Sequence, residues 1–590
     1  MKLEEPCHCS HKTGPTTVCP SQQPEWDSSS FHALHQILAS LPPDTICQVR
    51  LVSRHWRAVF DKAVQQLSLG KSTTSEHLLQ LPNMFPSLQH LRLGKVSNLI
   101  TRQVLSALSQ LSNLSLLSLP QQTHLPDWFD QLNSLHCSLD IALTDNSLAY
   151  CCNSLRSSSQ NLARLQLSYP SDLSRNLSLL STFSRLQSLN IQAGILHTSP
   201  RQGRYLLDVA LLDFPVEPIP IDAFSTLATL TQLSSLRLIG VSNDLDAATA
   251  AQLCCLQQLH HLAIYVESST GISGLSGLTS LTYLCIKGQA LHISDDTFNT
   301  IGKLQELRSL VLEGSIIGAG ADAERHKLHD RLDGLACLPH LATLQFWGWL
   351  NAEAVSHMSV LTQLTRLTLW ESAGVTPETL RSIATLKHLE YLDLSYNELS
   401  GAEWSPIGAL TALTALHLHG CRQVTDETVQ GLSTLTNLQW FDISHGVMKR
   451  DFYKDKLTEE GIWMVGALTS LRDLNLTDLT NLTDRAVLGL SSLTRLTQIC
   501  LVGAHAFLHP VQNSGLLAMK NLLSLDLSRS SCIDDMKRSE LQPIFTSLTN
   551  LKQLRYGCDD FAYTLASDEP EAVEIYPSDQ GKFSTLHMPV

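Results

Sequence analysis

The sequence is short of charge and of aromatic rings. Only 16% of its 590 residues are Asp, Glu, Lys or Arg and 6% are Phe, Trp or Tyr, against roughly 25% charged residues in an ordinary globular domain. It has no apolar run of the roughly eighteen residues that a membrane-spanning helix needs, so no membrane span is expected. The first residues are polar and carry Ser, Pro and Cys rather than the apolar core of a secretory leader, and secretion is not expected either. The 15 cysteines are scattered without even spacing, which suits free thiols in a reducing compartment better than a disulfide framework. Positive charge is not in excess: 41 basic residues face 55 acidic ones, a net of −14, which argues against nucleic acid or an anionic membrane as partner. No phosphate-loop, nucleophile-elbow, zincin or paired CxxC motif is present. No catalytic residues, no cofactor and no metal are therefore expected, and the location expected is the cytoplasm, the nucleus or both.

One residue type is in excess. Leu makes up about 110 positions, near 19% of the chain, and its spacing repeats. The phrase LxxLxxLxL recurs in one phase, as in LTQLSSLRL (230–238), LTSLTYLCI (278–286), LTQLTRLTL (361–369), LTALTALHL (410–418) and LTSLRDLNL (468–476). Further copies surround Leu91, Leu117, Leu165, Leu189, Leu525 and Leu554, with a broken one near Leu139 and a degenerate one expected near Leu211, giving about nineteen units. The closing LxL alternates as a strand does, burying both leucines and turning the residue between them outward. Helix starts follow. Thr376-Pro377-Glu378 sets an N-cap before a first-turn Pro with an acid at the positive dipole end, and Thr425-Asp426-Glu427 and Thr483-Asp484 repeat the idea. A strand and a helix of this size cannot bury their apolar face alone, whereas stacked copies bury a continuous core. At these residues the chain resembles the leucine-rich repeat family over 71–556. The fold expected is an α/β solenoid, a horseshoe with a concave parallel sheet and convex helices. The Asn or Cys usual in the family stands at Asn397 and Cys421 and is missing from most copies, where Gly recurs just before that position (Gly240, Gly288, Gly314, Gly348, Gly420, Gly503).

Residues 28–70 do not fit the repeat. Leu34, Ile37, Leu38 and Leu41 have helical spacing, Pro42-Pro43 breaks it, and Ile46, Val49, Val52, Trp56 and Val59 form a second stripe. So few residues make a poor core of their own, so the first repeat, a partner, or both must cover the stripe. The phrase LPPDTICQVRLVSRHWR (41–57) resembles the F-box, matching its pattern at Leu41, Pro43, Ile46, Leu51, Val52, Ser53, Arg54, Trp56 and Arg57; Ser29-Ser30 stand where the family opens with Leu-Pro. The resemblance implies docking on a Skp-type adaptor, and through it on a cullin, with Leu41, Pro43, Ile46, Val49, Val52 and Trp56 as the adaptor-binding residues. It further implies a substrate-recognition subunit of an SCF-type ubiquitin ligase that is not itself catalytic. The alternatives are a helical cap of the solenoid and a leucine-rich scaffold or inhibitor with no ligase link. The module is locally positive (Arg50, Arg54, Arg57, Lys62 against Asp44, Asp61), whereas the tail 557–590 is acidic (Asp559, Asp560, Asp568, Glu569, Glu571, Glu574, Asp579). The tail and residues 1–27 are expected to be largely without structure, for want of aliphatic side chains.

Aligning the repeats gives columns, and the columns give a surface. The outward position inside LxL reads Val311, Gln345, Thr368, Asp393, His417, Asp442, Asn475, and the next outward position Lys287, Glu313, Trp347, Trp370, Ser395, His419, Ser444, Thr477. Trp347 and Trp370 are thereby expected as concave neighbours, followed by Asp393, His417, His419 and Asp442. Exposed Trp beside ionisable groups in a concavity is how recognition hot spots are built, so these six are the candidate substrate-binding residues. The competing reading is that the two Trp only pack against one another. Two long intervals, 314–337 and 444–467, the second with Lys449-Arg450 and Phe452-Tyr453-Lys454, are candidate binding loops.

Overall fold

The computed structural model describes residues 65–556, apart from 120–130, 193–220, 240–244, 317–331, 446–455, 504–514, 529–541 and shorter pieces of loops, together with 562–566 and 573–576. The F-box-like module, with Leu41, Pro43, Ile46, Val49, Val52 and Trp56, lies outside the described residues, as do the cores of both long loops.

LxL phrases become strands because alternation matches the pleat. Strands β1 to β19 are, in chain order, Gln66–Ser68, His90–Arg92, Leu116–Ser118, Ser138–Thr144, Leu162–Ser168, Ser188–Gln192, Ser235–Ile239, His261–Ser268, Tyr283–Leu291, Ser309–Ile316, Thr343–Trp347, Arg366–Trp370, Tyr391–Asp393, Ala415–His417, Trp440–Asp442, Asp473–Asn475, Gln498–Cys500, Ser524–Asp526 and Gln553–Tyr556. Each pairs in parallel with the next, the central leucines in register, as in Leu367↔Leu392, Leu392↔Leu416 and Leu416↔Phe441. The 21-stranded sheet ends with β20 (Ala562–Ala566), antiparallel to β19, and β21 (Val573–Tyr576), antiparallel to β20. At these two strands the tail departs from the structureless expectation. Backbone pairing to an existing sheet edge does not require aliphatic side chains.

Two details of the count differ from the leucine spacing. β6 pairs directly with β7, Leu189 on Leu236, so no strand of the described sheet stands near Leu211. The sheet also starts earlier, with Leu67 of β1 beside Leu91 of β2. Leu67-Ser68-Leu69 is itself an LxL phrase, but it falls inside 28–70, the span expected for the F-box-like module.

The inward leucines form one continuous core from Leu78 to Leu554, most of it fully buried. Helices follow several strands on the outer side, and the caps expected at Thr376 and Thr483 are in place, while at Thr425 the backbone amide donates to the Thr428 hydroxyl at 3.0 Å. Thr376 caps the helix Pro377–Ile383 with a reciprocal capping box, and Thr483 accepts from the Ala486 amide at 3.2 Å. Caps also link successive repeats. The Thr458 hydroxyl, which caps the helix Glu459–Val465, donates to Asp426 Oδ2 at 2.6 Å, and the Thr483 hydroxyl donates to Glu459 Oε2 at 2.7 Å. First-turn acids thus serve their own helix dipole and the next helix's cap.

Where strands end, the chain leaves in the left-handed region. Glu371, Tyr396, Gly420, Asp478 and Gly503 occupy equivalent positions with φ of 48°, 60°, 69°, 60° and 75°. This explains Gly420 and Gly503 just before the usual Asn or Cys position, since Gly takes that conformation without cost, whereas Gly288 and Gly314 lie inside the longer strands β9 and β10. One residue on, Asn397 donates to the Leu369 and Leu394 carbonyls, both at 2.8 Å, and accepts from the Ser372 amide at 3.0 Å, while Cys421 Sγ donates to the Leu394 carbonyl at 3.2 Å. These side chains satisfy backbone groups left unpaired by the turn.

Candidate functional site

Parallel register places side chains of like position side by side across the concave face. Trp347 pairs with Trp370, Asp393 with His417, His417 with Asp442, and Asp442 with Asn475. The structure therefore brings five of the six predicted concave residues onto five consecutive strands, β11 to β15, and the sixth, His419, two residues past the end of β14.

Two rows run across them. In the row nearest the strand ends, the Trp347 and Trp370 rings stack with centroids 4.8 Å apart and planes 27° from parallel. Trp370 meets the Tyr396 ring edge-on at 4.7 Å, and Tyr396 meets His419 at 5.0 Å. Polar bonds take over there. Tyr396 Oη and His419 Nε2 stand 2.8 Å apart, His419 Nδ1 and Ser444 Oγ 2.6 Å, and the Ser444 hydroxyl donates to Asp442 Oδ1 at 2.5 Å. Asn475 Nδ2 donates to Asp442 Oδ2 at 3.1 Å, and Ser395 donates to Asp393 Oδ1 at 2.6 Å. At the other end Lys287 lies 2.5 Å from the buried Glu313 carboxylate, with its ammonium 6.0 Å from the Trp347 ring. The stacking of the two Trp gives the competing packing reading a real share: Trp370 is only 8% exposed, while Trp347 keeps more of its ring open. Stacking also fixes the rings in place, which lowers the entropy lost on binding.

The second row stands two residues before the position inside each LxL, just ahead of the first leucine, and is not among the expected site residues. Arg366 Cζ stands 4.6 Å from the Tyr391 ring centroid, Tyr391 lies 5.2 Å from the His417 ring, and Trp440 and Asp473 follow in register. Period-two alternation alone flags these positions, but the leucine phrase draws attention only to residues inside and after LxL. Burial, with the Asp442 charge adding to it, pushes the Asp473 carboxyl up to about 7. Further back, His261 and Tyr283 stack at 4.1 Å.

Thiols on this surface are held neutral. Burial pushes Cys285 up to about 11 and Cys500 up to about 12, which suits packing rather than nucleophilic attack. Asp393, His419 and Asp442 are engaged in hydrogen bonds along the sheet and His417 lies against the Tyr391 ring, and among the described residues no group of three or more His, Cys, Asp or Glu is placed to hold a metal ion. The chemistry on offer is recognition: a fixed aromatic shelf, hydrogen-bonding groups and carboxylates on a rigid sheet.

Comparison with known proteins adds the part that lies outside the described residues. An F-box domain family model matches residues 30–64, and a leucine-rich repeat region model matches 248–499. The chain is an F-box and leucine-rich-repeat protein. No curated protein matches this F-box and leucine-rich-repeat protein. Among solved structures, it is similar to a leucine-rich-repeat protein of Leptospira interrogans, at 18% identity over 83% of this chain and 99% of that one, with a TM-score of 0.41. It is also similar to an internalin of Listeria monocytogenes, at 17% identity over 68% of this chain and 88% of that one, with a TM-score of 0.34. Among the described residues no helix is long and apolar enough to cross a membrane.

Proposed function

We propose that this F-box and leucine-rich-repeat protein is the substrate-recognition subunit of an SCF-type ubiquitin ligase and works in the cytoplasm, the nucleus or both. In this reading Leu41, Pro43, Ile46, Val49, Val52 and Trp56 dock on a Skp-type adaptor that joins it to a cullin. The concave face, at Trp347, Trp370, Asp393, His417, His419 and Asp442, holds a protein substrate. The chain itself performs no bond-making step. Its contribution is proximity: holding an acceptor lysine close to a charged ubiquitin carrier raises the effective concentration of the reacting groups.

The observation that carries this reading is adjacency. The F-box match ends at residue 64, and the first strand of the sheet begins at Gln66. A module whose apolar stripe exceeds what its own residues can bury is thus joined to a rigid recognition surface by almost no linker. A short connection holds the substrate at a defined reach from the adaptor rather than on a flexible tether. Co-purification tests it. The full chain is expected to retain a Skp-type adaptor, and Trp56→Ala with Ile46→Asp to lose it; failure to retain the adaptor, or equal retention by the double variant, contradicts the ligase reading and leaves a leucine-rich scaffold.

A further inference from the structure

If the concave face receives the substrate, as proposed above, the side chains it presents also specify the chemistry of that substrate. The face is electrically polarised along the solenoid. Among the described side chains, the outward positions from β2 to β12 carry Arg92, Arg164, Arg237, Lys287 and Arg366, opposed by Asp140 and Glu313, which are engaged by Arg164 at 3.8 Å and Lys287 at 2.5 Å. From β13 to β18 the sign reverses. Asp393, Asp442, Asp473 and Asp526 stand on β13, β15, β16 and β18, and the ionisable groups between them are His417 and His419. Arg555 on β19, 3.9 Å from Asp526, closes the acidic tract. The aromatic shelf of Trp347, Trp370 and Tyr396 lies where the sign changes, on β11, β12 and the end of β13.

This arrangement does more than add up to a charge. Opposite potentials on either side of an apolar shelf orient a partner and reject one of uniform charge, because like charges opposed across an interface repel. Spacing follows from the sheet. Arg237 on β7 is four strands from Trp347, about 19 Å at ~4.8 Å per strand. Asp442 and Asp473, on β15 and β16, are three and four strands from Trp370, about 14 and 19 Å. An extended chain covers these distances in about four to six residues.

We infer that the substrate presents a segment with a central aromatic or aliphatic anchor, acidic residues about six positions to one side and Lys or Arg about four to six positions to the other. The anchor seats on Trp347 and Trp370, the acidic flank faces Arg237, and the basic flank faces Asp442 and Asp473. The cation–aromatic contacts of Arg366 on Tyr391 and Lys287 on Trp347 show that this surface already accommodates cations against rings.

A displayed library of random peptides of about 16 residues, selected on the purified full-length protein, tests this. Enriched peptides are expected to carry the anchor with opposite charges on its two sides. By fluorescence anisotropy, Arg237→Glu and Asp473→Lys are each expected to weaken an enriched peptide tenfold or more, with the loss shrinking as salt rises. Asp473→Lys is chosen because Asp442 also holds Ser444 and Asn475, and circular dichroism confirms that each variant is folded. Peptides with no charge bias, with one sign on both flanks, with unchanged affinity in both folded variants, or no enrichment at all overturn the inference. Trp347→Ala with Trp370→Ala separates the two levels. If enriched peptides ignore that variant, the concave face is not the binding surface and the broader reading fails; if they need the shelf but show no flanking charge preference, only the polarity inference fails. Adaptor capture, measured on the same preparation, depends on neither outcome.

Discussion

Asp473 is where the concave face is least at ease. Its carboxyl is held near 7 by burial and by Asp442, well above an unfolded value of about 3.9. The folded chain therefore binds this proton more tightly than the unfolded chain. The sign follows: its contribution favours folding in full below about pH 4 and is lost as pH rises through about 7. Asp473→Asn is expected to stabilise the protein at pH 8 by about 1 kcal/mol, after discounting for partial exposure, with the gain vanishing near pH 4; urea midpoints at the two pH values check this. A second residue-scale test concerns the turn. Gly420 has φ +69°, and an added Cβ would stand 2.7 Å from Tyr396 Cδ1 and Cε1. Gly420→Ala should cost about 1–3 kcal/mol and shift the Tyr396 ring off His419, measurable as a lower melting temperature. The recurring Gly was visible in the sequence, but its conformation was not. Tyr396 and Asp478 adopt the same left-handed geometry without being Gly, so residue identity alone could not reveal the position.

Among elements, strands were legible and their outer neighbours only partly so. LxL marks nearly every strand because burial of both leucines demands it. β1 carries an LxL phrase at Leu67 and Leu69 but falls within the F-box-like span 28–70, and β20 and β21 join through backbone pairing, so the periodicity read over 71–556 includes none of the three. The concave residues after LxL were legible by column, while Tyr391, Trp440 and Asp473 were not, because they precede the leucine that draws the eye. Bonds between repeats were not legible at all, since they join positions roughly 25–30 residues apart, one repeat to the next. Two are testable. Asn397 is 3% exposed and meets three backbone groups, so Asn397→Ala should cost about 2–3 kcal/mol by leaving them unpaired. Asp426 holds the amide and hydroxyl of Thr458 at 2.8 and 2.6 Å. Asp426→Ala should therefore loosen the start of the helix Glu459–Val465 by about 1 kcal/mol, read as faster amide hydrogen exchange there and not in distant repeats.

At the scale of the whole molecule, a solenoid stores its stability between neighbours, so damage stays local and function can be divided along the chain. In sequence the F-box match ends at residue 64, before β1, and nine strands, β2 to β10, lie between β1 and the first strand of the shelf, β11. That separation is the basis of the central claim: one chain carries two independent surfaces, one that joins an adaptor and one that selects a substrate. Reciprocal co-purification tests it most directly, with the adaptor and the remaining bound proteins quantified by mass spectrometry for wild type, Trp56→Ala with Ile46→Asp, and Trp347→Ala with Trp370→Ala. The account predicts a double dissociation, the first variant losing the adaptor while keeping the other partners and the second losing partners while keeping the adaptor. Joint loss of both classes by either folded variant, or retention of both by both variants, would contradict it.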